Sequence, residues 1–158
     1  MTMYPPPPET AGQPYYGGAS GPRAGFWQRF AASFLDGIIL AVVPVIILSI
    51  AASSHSGALV ALGYLLLFCG SIAYFVYFEG GPTGQTLGKR ALGIRVIDMN
   101  TGGPIGYGRA FIRLIGRIVS EIPCYLGYFW MLWDKEKQCW HDKFATDVVV
   151  PAQYYPVN

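Results

Sequence analysis

Residues 29–50 read Arg-Phe-Ala-Ala-Ser-Phe-Leu-Asp-Gly-Ile-Ile-Leu-Ala-Val-Val-Pro-Val-Ile-Ile-Leu-Ser-Ile, an apolar run interrupted by a single carboxylate, Asp36. At 1.5 Å per residue, a helix from Ala31 to Ile50 would span about 30 Å, the hydrocarbon thickness of a bilayer. An ionised aspartate inside such a helix costs roughly 2.5–3.5 kcal/mol, so Asp36 is expected to face protein or water and to have a partner. Pro44 lies in the same run and predicts a kink, which a membrane helix tolerates when neighbours re-satisfy the freed carbonyl.

The next residues extend that assignment. Ser53-Ser-His-Ser-Gly57 is a short uncharged turn, and residues 58–78 form a second apolar stretch of spanning length that ends in an aromatic belt, Tyr74, Phe75, Tyr77 and Phe78. The two together predict a transmembrane hairpin. Arg23 and Arg29 precede it, Lys89, Arg90, Arg95 and Arg109 follow it, and its tip carries no charge. By the excess of basic residues on the inner face, the N-terminus and the following loop are cytoplasmic and the chain is a multi-pass protein of the cell membrane.

Composition points the same way. Of 158 residues, 53% are hydrophobic and 13% charged, about half the charged share of a soluble domain. A net charge of +2 is too small to indicate a nucleic-acid partner, and the basic residues read as markers of membrane topology. Cys69, Cys124 and Cys139 are odd in number and form no Cys-x-x-Cys pair, so they are read as packing residues rather than a disulfide framework or zinc site. The first 24 residues are rich in Pro, Gly and Tyr and predict a disordered tail, in which Pro5–Pro8 favours polyproline II and suits a proline-reading partner.

Residues 79–107 are glycine-dense. Leu92, Ile94 and Val96 alternate with Gly93 and Arg95 before an Asn100-Thr-Gly-Gly-Pro turn, which predicts a short strand or hairpin on the cytoplasmic side. Gly84, Gln85, Thr86, Gly88 and Lys89 suggest a phosphate loop, but three residues rather than four separate Gly84 from Gly88-Lys89, and Arg90 stands where Ser or Thr is required.

From Tyr107 to Ile122, Arg109, Arg113, Arg117 and Glu121 recur every fourth position, sharing one arc of a helix with Gly116 and Ser120, while Phe111, Ile112, Leu114, Ile115, Ile118, Val119 and Ile122 fill the other. An apolar run follows Pro123. The third element, residues 107–133, is therefore either a third span or an interfacial helix that breaks at Pro123 and returns; Lys135, Lys137 and Lys143 favour the return. A Val148–Val150 strand-like stub and an eight-residue tail, 151–158, close the chain.

The order Arg29…Asp36, then Gly84-Gln-Thr-Leu-Gly-Lys-Arg-Ala-Leu-Gly-Ile-Arg-Val96, then His141-Asp142-Lys143, resembles the RDD family of small membrane proteins over about residues 25–150. The resemblance implies that Arg29, Asp36 and Asp142 are the arginine and two aspartates for which that family is named. It also implies membrane transport of a small solute. One departure is Ala145-Thr146, where a Gly-Thr-like pair is the family habit.

The expected fold is thus an all-α membrane protein, a helical hairpin plus an amphipathic or third membrane helix with short cytoplasmic strands. Arg29 and Asp36 are two turns and about 10 Å apart along the axis, too far to bridge. Arg29 is expected to reach headgroups or Asp142, and Asp36 to meet Arg113 or Arg117. Glu121 and His141 complete the candidate charged cluster, with His141 hydrogen-bonded or facing headgroups. In one reading Asp36 and its arginine partners move an ion or solute through a homo-oligomer, or with a partner subunit, because two spans cannot enclose a path. In the other the cluster only locks the bundle and the Pro-rich tail recruits partners. With two histidines on opposite sides of the membrane and no nucleophile paired with a base, neither a metal site, a cofactor nor an enzyme is expected.

Overall fold

The computed structural model describes residues 19–121 and 126–156, the side chain of Glu121 excepted. The first 18 residues, with Pro5–Pro8, the break at Pro123 and Cys124 lie outside the described residues.

Helix α1 runs Phe26–Ser54 and α2 runs Gly57–Gly80, both longer than the apolar cores that predict them. Their 29 and 24 residues correspond to about 43 and 36 Å, enough to cross a bilayer. The backbone of α1 remains helical through Pro44. His55, in the left-handed region at φ 53°, ends α1, and the hydroxyl of Ser56 accepts the Leu59 amide at 3.4 Å to start α2. The helices are antiparallel neighbours: Asp36 meets Tyr74, and Leu48 packs over Gly63, where a Cβ would lie 2.9 Å from the leucine side chain. Most of their apolar surface is open, with Phe34 61%, Ile46 55% and Phe68 64% exposed. A core helix of a water-soluble fold would bury these faces; lipid solvates them at no cost.

Beyond α2, the Thr86 hydroxyl caps a five-residue helix, α3 (Leu87–Ala91), by accepting the Lys89 amide at 3.2 Å. Strand β1 (Ile94–Asp98) follows. Its partner is not a local hairpin strand but β2 (Asp147–Pro151) at the far end of the chain, antiparallel, with Ile94 opposite Pro151 and Asp98 opposite Asp147. Alternation along β1 then works on two buried faces. Ile94 and Val96 join Ala24, Ala32 and Ala110 in one cluster, and Ile97 joins Ala19, Val148 and Tyr155 in the other. Part of the expected tail is therefore structure. The Ala19 and Ala24 amides donate to the carbonyls of Met99 and Val149, at 3.0 and 2.9 Å, strapping residues 19–24 to the sheet. At the other end, Ala152–Tyr154 forms a 3-10 turn and the hydroxyl of buried Tyr155 accepts the Gly21 amide.

Among the described residues, the third element comprises several separate pieces. Helix α4 (Gly106–Glu121) is followed by the short α5 (Leu126–Phe129), a 3-10 turn at Trp130–Leu132, and α6 (Trp140–Ala145). Because α4 follows β1 and α6 leads into β2, this excursion starts and finishes at the same two-stranded sheet. The charged arc of α4 is its buried side: Arg113 and Ser120 are inaccessible, while Phe111, Ile112, Ile115 and Ile118 are exposed. Tyr107 stacks on Tyr77, and the Arg117 guanidinium lies 4.2 Å from the centre of the Phe75 ring, so α4 packs across the end of α2.

Candidate functional site

Asp36 is fully buried, and among the described residues its hydrogen-bond partners include no arginine. Its Oδ1 accepts the Tyr74 hydroxyl and the Gly88 amide, both at 2.7 Å, and its Oδ2 accepts the Thr86 hydroxyl at 2.6 Å. The expected pairing with Arg113 or Arg117 is thereby corrected. Three neutral donors satisfy the carboxylate, two of them from the start of α3. Tyr74 also accepts the Leu87 amide at 2.9 Å, fixing the same turn. Gly88 is required by contact, since a Cβ there would fall 2.2 Å from the Ala32 carbonyl oxygen. The glycine-rich run is thus a docking element for Asp36, with Gly84 at φ +58° seated against Val96. Gln85 donates to the Ile94 carbonyl at 3.0 Å.

The arginines converge elsewhere, on Glu79 at the last turn of α2. Glu79 Oε1 receives Lys89 Nζ and, at 2.8 Å, Arg117 Nη2; Oε2 receives Arg113 Nε at 3.0 Å. Arg113 continues through Nη1 to Asp142 and Asp147. Arg29 donates to Asp142 Oδ2 at 2.5 Å and to the Lys137 carbonyl at 3.0 Å, so of its two expected destinations it takes the aspartate. Asp142 lies at the start of α6, where Oδ2 also accepts the Cys139 amide at 2.8 Å and caps the helix. Every member of this network is buried except Arg117, which is partly exposed.

Burial sets the protonation states. Desolvation would raise Asp142, but the guanidiniums of Arg113 and Arg29 overcome it and hold its carboxyl well below the usual range. Asp147 goes the other way, raised well above its ordinary value by burial, with Asp142 beside it reinforcing the shift against Arg113. Its Oδ2 has no partner among the described residues, which suits a protonated acid. Burial lowers Lys89, and Glu79 opposes the shift. Four cations, Arg29, Lys89, Arg113 and Arg117, therefore face three carboxylates, one of which favours its neutral form.

His141 is buried against Tyr128, with ring centres 5.0 Å apart, and does not face headgroups. Burial and the surrounding guanidiniums keep it neutral, far below its ordinary value. Its Nε2 is 3.4 Å from Asp142 Oδ1, and its Nδ1 has no partner among the described residues. Cys139, His141 and Asp142 bring possible ligand atoms within 4.8 Å of one another. The set suits a metal poorly. Both oxygens of Asp142 are held by arginines, burial pushes the Cys139 thiol up to about 12, and three guanidiniums repel a cation.

Beside the network, a cavity of about 410 Å³ opens between α1, α4, α5 and α6. Its polar wall holds all four cations, Arg29, Lys89, Arg113 and Arg117, and none of the carboxylates that pair with them. Phe26, Phe30 and Phe34 of α1 and Phe129 form its apolar wall. Sequence reasoning placed Arg29, Arg113, Arg117 and Asp142 near the site but passed over Glu79, Tyr74 and Asp147. Glu79 has a signal: it is the first charge after the second apolar run, immediately following Tyr77-Phe78.

Two apolar helices of spanning length, exposed along most of their surface and closed at one end by an ion-pair network and a small sheet, define a compact membrane protein. The chain belongs to the RDD family, whose model matches residues 23–146. A proline-rich antigen homolog of Mycobacterium tuberculosis is 37% identical over 89 residues, covering 54% of this chain and 37% of the relative. The proline-rich antigen of Mycobacterium leprae is 37% identical over 82 residues, 50% of this chain and 33% of the relative. The match to these antigens thus spans about a third of their length. The uncharacterized protein YxaI of Bacillus subtilis is 31% identical over 147 residues, 80% of this chain and 96% of the relative. No solved structure matches the chain.

Proposed function

We propose that the chain is a non-enzymatic transport subunit of the cell membrane that takes up a small solute in the cation-lined cavity, working as a homo-oligomer or with a partner subunit. The observation that carries this reading is the polar wall of that cavity, three buried cations and the partly exposed Arg117 beside an open apolar surface. The solute is then an anion or carries one, and Asp36, saturated by three donors, is a structural post rather than a cation site. Two spans cannot surround a path, so several copies are needed. The sheet, the strap at residues 19–24 and the return through α5 and α6 lie on the cytoplasmic side. That orientation puts exposed Arg90 and the post-α5 lysines inside and leaves the hairpin tip, which carries no charge, outside. The exposed apolar face of α4 then lies in the interface, with Trp130 and Trp133 as anchors.

The test is the purified full-length chain in liposomes, assayed for flux of phosphate-bearing solutes and, separately, of Na⁺ and K⁺ under a pH gradient. Anion flux that falls in Arg117→Gln supports the proposal. Cation flux alone would return the role to a carboxylate, and no flux of either kind would leave the second reading. That reading, partner recruitment by the N-terminal tail, is favoured by the strap at residues 19–24, which ties Ala19, the residue next to that tail, to Met99 beside the sheet.

A further inference from the structure

We infer that the cavity holds a phospholipid of net negative charge, its phosphate on Arg29 and Arg117 and its chain along the Phe30–Phe34 face of α1. This deepens the proposed function only in sharing its cavity, and binding can be measured without flux. The polar half of the argument is charge. The described residues that line the space include four cations and no carboxylate, and three of the cations are guanidiniums, whose planar forks match phosphate oxygens in pairs. Within the network the cations outnumber the carboxylates, and the protonation of Asp147 widens the excess, so a bound anion would complete the neutralisation.

The apolar half is the wall of α1. Phe26, Phe30 and Phe34 are four residues apart and share one face, rising about 12 Å from the level of the network toward the middle of the helix. Phe26 stacks on Phe30 and on Phe129, at 6.2 and 5.7 Å between ring centres, closing the lower end. Phe30 and Phe34 are 54% and 61% exposed above it. A free anion has no use for this wall. A lipid from the same leaflet uses both halves, with its phosphate at the ion-pair level and its chain pointing into the bilayer.

The probe is dioleoyl phosphatidic acid against dioleoyl phosphatidylcholine and inorganic phosphate, titrated into the full-length chain in a neutral detergent and read by native mass spectrometry and thermal shift. Phosphatidic acid should bind at least about tenfold more tightly than phosphatidylcholine, the scale of one charge-assisted hydrogen bond. Arg117→Gln should remove that preference. Because Arg117 also pairs with Glu79, Ser33→Trp provides the second arm: Ser33 is exposed, lines the cavity and belongs to no ion pair, so the indole should fill the space and abolish binding without loosening the network. Equal binding of the two lipids, or undiminished phosphatidic acid binding in a folded Ser33→Trp protein, overturns the inference. Inorganic phosphate as effective as phosphatidic acid overturns the lipid and leaves a free anion.

Discussion

Replacing Asp36 separates two accounts of how its charge is tolerated. Asp36→Ala leaves the Thr86 hydroxyl and the Gly88 amide buried with no acceptor, and Tyr74 partly so. At about 1–3 kcal/mol for each fully buried donor, the loss is roughly 2–6 kcal/mol, a large fraction of the ~5–15 kcal/mol that keeps a typical protein folded. Asp36→Asn keeps the shape and one acceptor oxygen. Placed at the Oδ1 position, that oxygen retains Tyr74 and Gly88, so the cost falls to about 1.5–3 kcal/mol for the Thr86 bond. Hydrogen exchange over residues 84–91 in detergent should show Gly88 and Lys89 opening in Asp36→Ala, less in Asp36→Asn, and not in the Arg113→Gln/Arg117→Gln double variant. Equal opening in the double variant and in Asp36→Ala would restore arginine as the partner and refute the docking account. So would intact protection at Gly88 in Asp36→Ala.

Glu79→Gln removes the acceptor charge shared by Lys89, Arg113 and Arg117, and should cost about 3–5 kcal/mol in denaturation assays. Glu136→Gln, at the half-exposed Arg23 pair, should cost less than about 1 kcal/mol. Two groups should tilt the pH profile in opposite directions. His141 is depressed below 6.5, so only the unfolded chain gains its proton as pH falls below that value, and stability drops by up to about 1.4 kcal/mol per unit. Asp147 is raised above 3.8, so its contribution is complete below that value and is lost as pH rises through its folded value, giving the opposite slope in the lower part of the same window. His141→Gln should therefore leave stability falling with rising pH, and Asp147→Asn should leave it falling with acid. Gly84→Ala, whose Cβ would lie 2.1 Å from the Val96 carbonyl oxygen, should loosen β1, detected as faster exchange at Val96. Truncation before Ala19 should leave the melting temperature unchanged, whereas truncation after Arg23 should lower it.

Hydropathy and length made both long helices legible because the signal is local and repeated over some twenty residues. The four-residue recurrence of charge made the arc of α4 legible for the same reason. Its direction followed from the buried partners, since the exposed arc is the apolar one, as suits lipid. What was not legible was pairing. β1 and β2 are separated by all of α4, α5 and α6, and no turn chemistry links Ile94 to Pro151. The premise that a buried charge needs an opposite charge points Asp36 to an arginine, but three well-placed donors serve as well, and two come from Thr86 and Gly88, in a run whose spacing suggests only a phosphate loop. Glu79 was missed because its place at a helix end looked like a loop.

The two carboxylates are linked by one short stretch, and this bears on any functional test. Thr86 donates to Asp36 and accepts the Lys89 amide; Gly88 donates to Asp36; Lys89 then extends its ammonium to Glu79 and contributes to the cavity wall. Asp36 thus holds one of the four cations in place without touching the space they line. Loss of solute or lipid handling in Asp36→Asn is the expected result even if Asp36 never meets a ligand, so that loss does not identify a proton or cation site. The discriminating pair is Asp36→Asn with Ser33→Trp. The first should disturb binding together with exchange at Lys89, and the second should disturb binding while exchange at Lys89 stays as it was. If Asp36→Asn abolished handling with the Lys89 amide fully protected, the carboxylate itself would have to take part.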